Sequence, residues 1–261
     1  MTYKLIEPNA SGTGLYFQSG NEDLPMDKLQ SFWQLRNASS EEVVSRDLLG
    51  QVGLRPTGSS PTNAVAWAPS NPCGGALGSS DFSQSNNTYY ESVGDPTDYC
   101  GENRSLKWWM GAWFYPVTGT SADVVLAHAS STTAGWFLNI DAASSDHLGF
   151  YCNNGAGTWV PALSGNAVNF DAWNFGIFGH DGTVGFVSLN GATAVTTTMA
   201  LPAAASTWGL TFGSWLYGAG STDFDGYIAD ASYWVGVSAN ATATEIAALY
   251  NNGKGNTLLG G

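Results

Sequence analysis

The chain has 261 residues, a net charge of −13 and only 11% charged residues. Its 34 Trp, Tyr and Phe residues, at about 25 cal/mol per Å² buried, supply a core large enough to exclude a disordered chain. Beyond residue 55, 14 acids face only Arg104, Lys107 and Lys254, a balance that repels phosphate backbones and argues against nucleic-acid binding.

Residues 1–62 differ from the rest of the chain. Met1-Thr2-Tyr3-Lys4 leads into polar sequence without an apolar signal core, and no stretch nears the roughly 20 apolar residues of a membrane span. The expectation is synthesis in a cytosol. Pro25 opens a predicted helix whose Leu29, Phe32, Trp33 and Arg36 stem share one face. Ser39 and Glu42 have capping-box spacing ahead of Val43, Val44, Leu48 and Leu49, and Gly50 ends that second helix. Two short amphipathic helices cannot bury their apolar faces alone. They dock on the body of their own chain, or they form an attachment arm through Leu29, Phe32, Trp33, Leu48 and Leu49. Pro56 to Pro61 reads as a linker.

From residue 63 the pattern is that of short strands and turns. Trp136, Leu138 and Ile140 alternate with Phe137, Asn139 and Asp141. Leu210 and Phe212 alternate with Gly209 and Thr211. Tyr227, Ala229, Ala231 and Tyr233 alternate with Ile228, Asp230, Ser232 and Trp234. Asp181-Gly182 and Asn190-Gly191 are hairpin turns. Near the end, Thr242 and Glu245 have capping-box spacing, Ile246, Leu249 and Tyr250 share a helical face, and Gly253 offers a C-terminal cap. No internal repeat or heptad is present.

The stretch Phe224-Asp225-Gly226-Tyr227-Ile228-Ala229-Asp230, followed by Glu245-Ile246 and Leu249-Tyr250-Asn251-Asn252-Gly253, resembles the closing signature of laminin-G-like, concanavalin-A-like jelly-roll domains. Ala229 stands where that family has the first of two acids. Tyr89-Tyr90-Glu91-Ser92, Trp109 to Pro116, Ala172 to Phe178 and Val187 to Gly191 are similar to its earlier strands. The resemblance implies an all-β, two-sheet antiparallel jelly-roll sandwich with a short C-terminal helix. Together with the helices read above, it divides the chain into a partly helical N-terminal extension (1–62), the jelly roll (63–255) and a tail (256–261).

The chemistry is sparse. The Glu-x-Asp-x-x-Glu strand of glycosidases on this fold is absent, and beyond residue 55 the glutamates are Glu91, Glu102 and Glu245. His128 lies in an apolar run and reads as a satisfied core or edge histidine, and His180 precedes a turn. The fold's lyases also need Arg or Lys, which this body nearly lacks. Calcium is the metal that the resemblance suggests, with Asp141, Asp146, Asp223 and Asp225 as hard-oxygen donors, although these acids equally fit solvated turns. Cys73, Cys100 and Cys152 are an odd set; Cys73 and Cys100 bridge a loop, or all three remain thiols. Trp159, Trp215 and Tyr217, with Asn153 and Asn154, lie in Gly/Asn-rich sequence and form the candidate carbohydrate surface.

These observations lead to a non-enzymatic virion protein, a bacteriophage head-decoration or tail-associated component. Its expected partners are other capsid or tail proteins, reached through the N-terminal region, and a host surface polysaccharide; a homo-oligomer fits such a role. The alternatives are a cell-surface lectin and, behind it, a glycosidase or lyase.

Overall fold

Trp136, Leu138 and Ile140 point into a core between two sheets, and Phe137 points out of it, as their alternation requires. The structure, a computed structural model, describes residues 4–5, 16–17, 24–25, 28–33, 35, 53–57, 80–82, 89–93, 107–117, 123–130, 134–154, 157–200, 209–215, 223–237, 240–251 and 259–260. The first strands are β1 (Lys4–Leu5), β2 (Tyr16–Phe17), β3 (Leu29–Trp33), β4 (Gly53–Thr57), β5 (Ser80–Phe82) and β6 (Tyr89–Val93). Longer strands come next: β7 (Trp108–Pro116), β8 (Val124–Ser130), β9 (Ala134–Asp141), β10 (His147–Asn154) and β11 (Trp159–Ala167). Then come β12 (Asn174–His180), β13 (Val184–Leu189), β14 (Val195–Thr198), β15 (Thr211–Phe212), β16 (Gly226–Val235), the helix α1 (Ala243–Tyr250) and β17 (Leu259–Gly260).

The first sheet runs β14-β13-β12-β7-β16-β3, with β5 also pairing β16. The second runs β11-β10-β9-β8-β15-β6-β4. Every named strand pair is antiparallel, so the molecule is a two-sheet antiparallel sandwich, as expected. Its core joins Trp108, Met110, Phe114 and Phe178 of the first sheet to Trp136, Leu138, Phe150 and Phe212 of the second. Trp108 packs on Trp136 at 5.2 Å between ring centroids and meets Phe150 edge-on at 5.9 Å. Aromatic pairs of this kind add to the area they bury.

Three expectations need correction. Leu29–Trp33 is a strand, not a helix: it pairs β16 through Ala231↔Trp33 and Ser232↔Phe32. Phe32 and Trp33 are 1% and 0% exposed, and Trp33 meets Phe212 edge-on at 5.4 Å. These side chains complete the sandwich and do not form an arm, because Trp33 gains more by entering the inter-sheet core than any exposed helix face offers. Likewise Pro56 and Thr57, read as linker, end β4 on the second sheet's edge, where a proline costs no central ladder bond. Leu48 and Leu49 lie outside the described residues.

In β16 the strict alternation breaks. The register shifts between Ala229 and Ser232, and Asp230 takes a left-handed φ of 47°. This bulge puts Ile228, Ala231 and Tyr233 in the same inter-sheet core, although a regular strand would set Ile228 opposite the other two.

The closing helix has the predicted capping box: Glu245 N–H donates to Thr242 Oγ1 at 3.2 Å, and Thr242 N–H donates to Glu245 Oε2 at 2.6 Å. It ends earlier than expected. Asn251, at φ 45°, is the left-handed cap and donates its N–H to Ala247 O; Gly253 lies outside the described residues. Ile246 and Leu249 bury against Trp109, Trp113, Phe175 and Trp234, so α1 covers that part of the first sheet's outer face. The outer face of the second sheet carries the candidate site.

Candidate functional site

Strand register assembles the site. Phe137 on β9 lies opposite Tyr151 on β10, and their rings stack at 4.8 Å and 12°. Trp159 opens β11 opposite Asn153 and leans on Phe137 at 4.7 Å. Trp215 comes after β15 and reaches Phe137 at 5.2 Å and Trp159 at 5.9 Å. Phe137 is 8% exposed, while Tyr151, Trp159 and Trp215 are half-buried around it. The turn bearing Trp215 is pinned from both sides: Thr211 Oγ1 donates to Ser214 O at 2.7 Å, and Gly213 N–H donates to Val125 O at 2.9 Å.

Polar groups border this aromatic cluster. Asp141 Oδ2 accepts from Tyr151 Oη at 2.5 Å and from Ser144 Oγ at 2.7 Å, and Oδ1 accepts from Ala143 N–H at 3.0 Å. Burial pushes the Asp141 carboxyl up, yet these hydrogen bonds outweigh it and hold its pKa below the ordinary value. Burial and the Asp141 charge push the Tyr151 hydroxyl up, so it stays a donor. Gly149 leaves a notch beside Tyr151: a Cβ there would lie 2.6 Å from Tyr151 Cε2 and 3.1 Å from Asn139 Oδ1. Asn139 Oδ1 and Trp215 Nε1 have no hydrogen-bond partner.

Of the expected carbohydrate residues, Trp159 and Trp215 come together. Asn153 lies on β10 but is 0% exposed, which removes it from direct contact with a ligand. Tyr217 and the Asn154 side chain lie outside the described residues. Phe137 and Tyr151 were missed as site residues, while Asn139 Oδ1 is buried beneath the cluster and does not meet a ligand. Their signal was an aromatic, Phe137, on the outward side of an alternating strand.

The expected calcium donors separate. Asp141 is committed to the turn Ala142–Ser144 and to Tyr151. Asp146 and Asp225 instead lie near Asp123, a residue that sequence reasoning missed. Asp123 is 2% exposed; burial first, then the charges of Asp225 and Asp146, push its carboxyl up to about 7. Asp223 is wholly buried and its backbone bridges Val124. Among the described residues no three acidic, histidine or cysteine side chains are placed to hold a metal ion. The four expected donors are therefore not gathered around one point.

His128 faces the core at 1% exposure, 6.1 Å from the Trp136 ring. It is not satisfied: the Gly209 backbone lies nearby, but neither ring nitrogen reaches hydrogen-bond geometry. Burial lowers its pKa to about 4. His180 is satisfied as a neutral ring; Gly182 N–H donates to Nδ1 at 2.9 Å, which leaves Nε2–H to donate to Met199 O at 3.1 Å. Cys152 is a buried core thiol whose pKa burial raises. Cys73 and Cys100 lie outside the described residues.

No protein-family model and no curated protein sequence matches this chain. Solved structures share its fold. Domain 4 of the extracellular arabinanase AbnA from Geobacillus stearothermophilus, solved in complex with arabinotriose, is similar at a TM-score of 0.54 and 14% identity, over 88% of this chain and 98% of that one. Trypanosoma rangeli sialidase matches at 0.54 and 15% identity, over 87% of this chain and 33% of that one. The binding domain of botulinum neurotoxin DC, in complex with rat synaptotagmin II, matches at 0.52 and 12% identity, over 87% and 52%. At these identities the likeness shows fold alone. The chain is a two-sheet antiparallel jelly-roll sandwich, a fold that hosts many unrelated functions.

Proposed function

We propose that this protein is a non-enzymatic glycan-binding module that uses the outer face of its second sheet. The single observation that carries this reading is the Phe137–Tyr151–Trp159–Trp215 cluster beside Asp141. Half-buried indole faces stack on the apolar faces of sugar rings, and fixed acceptors order the hydroxyls. The arabinotriose complex of the arabinanase domain supports the reading by analogy of fold. A chain of net charge −13 favours neutral over anionic polysaccharides.

A glycan array probed with the full chain tests this. Binding to neutral oligosaccharides is expected, with Trp159→Ala and Trp215→Ala each weakening it about tenfold or more. No binding above background removes the reading.

One observation favours an enzyme. Asp123, raised to about 7 beside Asp225 and Asp146, has the character of an acid in a carboxylate pair. Its 2% exposure argues against contact with a polymer. Product release from a neutral polysaccharide panel, abolished by Asp123→Asn, would establish a glycosidase instead.

We further infer display on a bacteriophage particle, on a head or tail. The support is the low proportion of charged residues, 11%, which fits a surface built on neutral polar groups. Mass spectrometry of purified particles should find the protein in assembled virions; its presence only in cell envelopes would favour a cellular lectin.

A further inference from the structure

We propose that the outer face of the first sheet carries a second site, an aromatic corner of Tyr115, Trp173 and Tyr227 that takes a compact alkylammonium group. Strand register brings the rings together. On β7, Phe114 enters the inter-sheet core and Trp113 joins the outer cluster, so Tyr115 shares the outer side with Trp113. Tyr227 is its register partner on β16, and Trp173 leads into β12 on the other side of β7. The Tyr115 ring lies 5.7 Å from both neighbours, at 70° to Trp173 and 66° to Tyr227. Gly226 allows this row to close up: a Cβ there would lie 2.1 Å from Tyr115 O.

The angles choose the ligand class. A sugar ring stacks on one flat face, whereas rings set near 70° form corners. All three rings are half-buried, so part of each meets solvent. A compact cation seated in such a corner lies within about 6 Å of more than one ring face, where the ring quadrupoles attract it.

Charge agrees. Asp225 O accepts from Val117 N–H at 3.0 Å, and Asp171 N–H donates to Pro116 O at 2.9 Å. Both acids are thus held by their backbones near Tyr115; Asp225 lies near Asp123, whereas Asp171 is exposed and supplies the charge next to the corner. An anion next to aromatic faces, on a chain of net charge −13, attracts an ammonium and repels a phosphate, which favours a free alkylammonium over a phospholipid headgroup. The corner lies on the sheet opposite the glycan face, so this site stands independently of that reading.

Calorimetric titration of the full chain with choline, with its neutral isostere 3,3-dimethylbutan-1-ol and with phosphocholine tests the proposal. Choline should bind saturably, with the alcohol at least about tenfold weaker and phosphocholine weaker than choline. Trp173→Leu should abolish choline binding and Tyr227→Phe should retain it. Asp171→Asn, a surface change that leaves the packing intact, should weaken choline but not the alcohol. Trp159→Ala should have no effect. The proposal is overturned if choline binds no better than the alcohol, if phosphocholine binds tighter than choline, or if Asp171→Asn or a folded Trp173→Leu binds choline like the parent.

Discussion

The Tyr151 hydroxyl donates to Asp141 Oδ2 at 2.5 Å and so ties the aromatic cluster to the turn after β9. Tyr151→Phe keeps the ring stack on Phe137 and removes only this charge-assisted bond. Stability at pH 7 should fall by about 1–2 kcal/mol. Because the Asp141 pKa is depressed in the folded state, its contribution is present above the unfolded value near 3.8 and is lost as pH falls through the folded one. The gap between parent and variant should therefore shrink in urea melts at pH 2.5. A gap unchanged between pH 7 and 2.5 would assign the effect to packing.

The strand Leu29–Trp33 changes what truncation should do. Deleting residues 1–62 removes β3 and β4 from the edges of both sheets, exposes β16 and β6, and takes Trp33 out of the core. The truncated chain should melt far below the parent or fail to fold. Trp33→Ala alone should cost about 3–5 kcal/mol. Circular dichroism melts decide; a truncated chain as stable as the parent would show that these strands are dispensable.

Two buried groups pull stability in opposite directions with pH. Asp123 titrates near 7 folded against 3.8 unfolded, so its favourable contribution is complete below about pH 4 and is lost as pH rises towards 7 and beyond. His128 titrates near 4 folded against 6.5 unfolded, so stability is lost as pH falls from about 6.5 to 4. Between about pH 4 and 6.5 the two slopes oppose each other, so the parent's stability should change little across that range. Asp123→Asn should remove the decline between about pH 4 and 7, so that the variant's stability rises from pH 4 to 6.5 and exceeds the parent's at pH 8 by roughly 2 kcal/mol once solvent screening is allowed for. His128→Phe should remove the acid-side loss. Melting temperatures across pH 4–9 check both slopes, and an Asp123→Asn profile parallel to the parent's would exclude Asp123 as their source.

Much of this was legible in the sequence where signals are local. The alternation of Trp136 to Asp141, the Asn190-Gly191 turn and the Thr242–Glu245 cap are set by neighbours a few residues apart, and the structure keeps all three. Leu29–Trp33 was misread because Leu-Gln-Ser-Phe-Trp satisfies a helical period as well as a strand. Its deciding partner, β16, begins nearly 200 residues later. The Asp230 bulge leaves no mark in composition. The site was half legible for the same reason. Trp159 and Trp215 stood out in turn-rich sequence, but Phe137 and Tyr151 meet through strand register, which pattern alone leaves open.

Gly191 and Thr242 hold opposite ends of one docking arrangement. The Leu189–Ala192 turn has left-handed φ at both Asn190 (53°) and Gly191 (73°), and Ala192 N–H closes it on Leu189 O at 3.0 Å. A Cβ on Gly191 would lie 2.5 Å from Tyr250 Cδ1, and Tyr250 stacks on Trp113 at 5.9 Å and 21°. Gly191→Ala therefore strains the turn and displaces the last helical residue from the sheet, at a cost of about 2 kcal/mol. Thr242→Ala removes the N-cap at the other end of α1, at about 1 kcal/mol. If α1 docks as a unit, either change loosens the whole helix, and the double variant should cost less than the sum. Near-UV circular dichroism of the Trp113–Tyr250 pair should weaken in both single variants. Strict additivity, with the aromatic signal unchanged in Thr242→Ala, would show instead that the two ends of the helix are held independently.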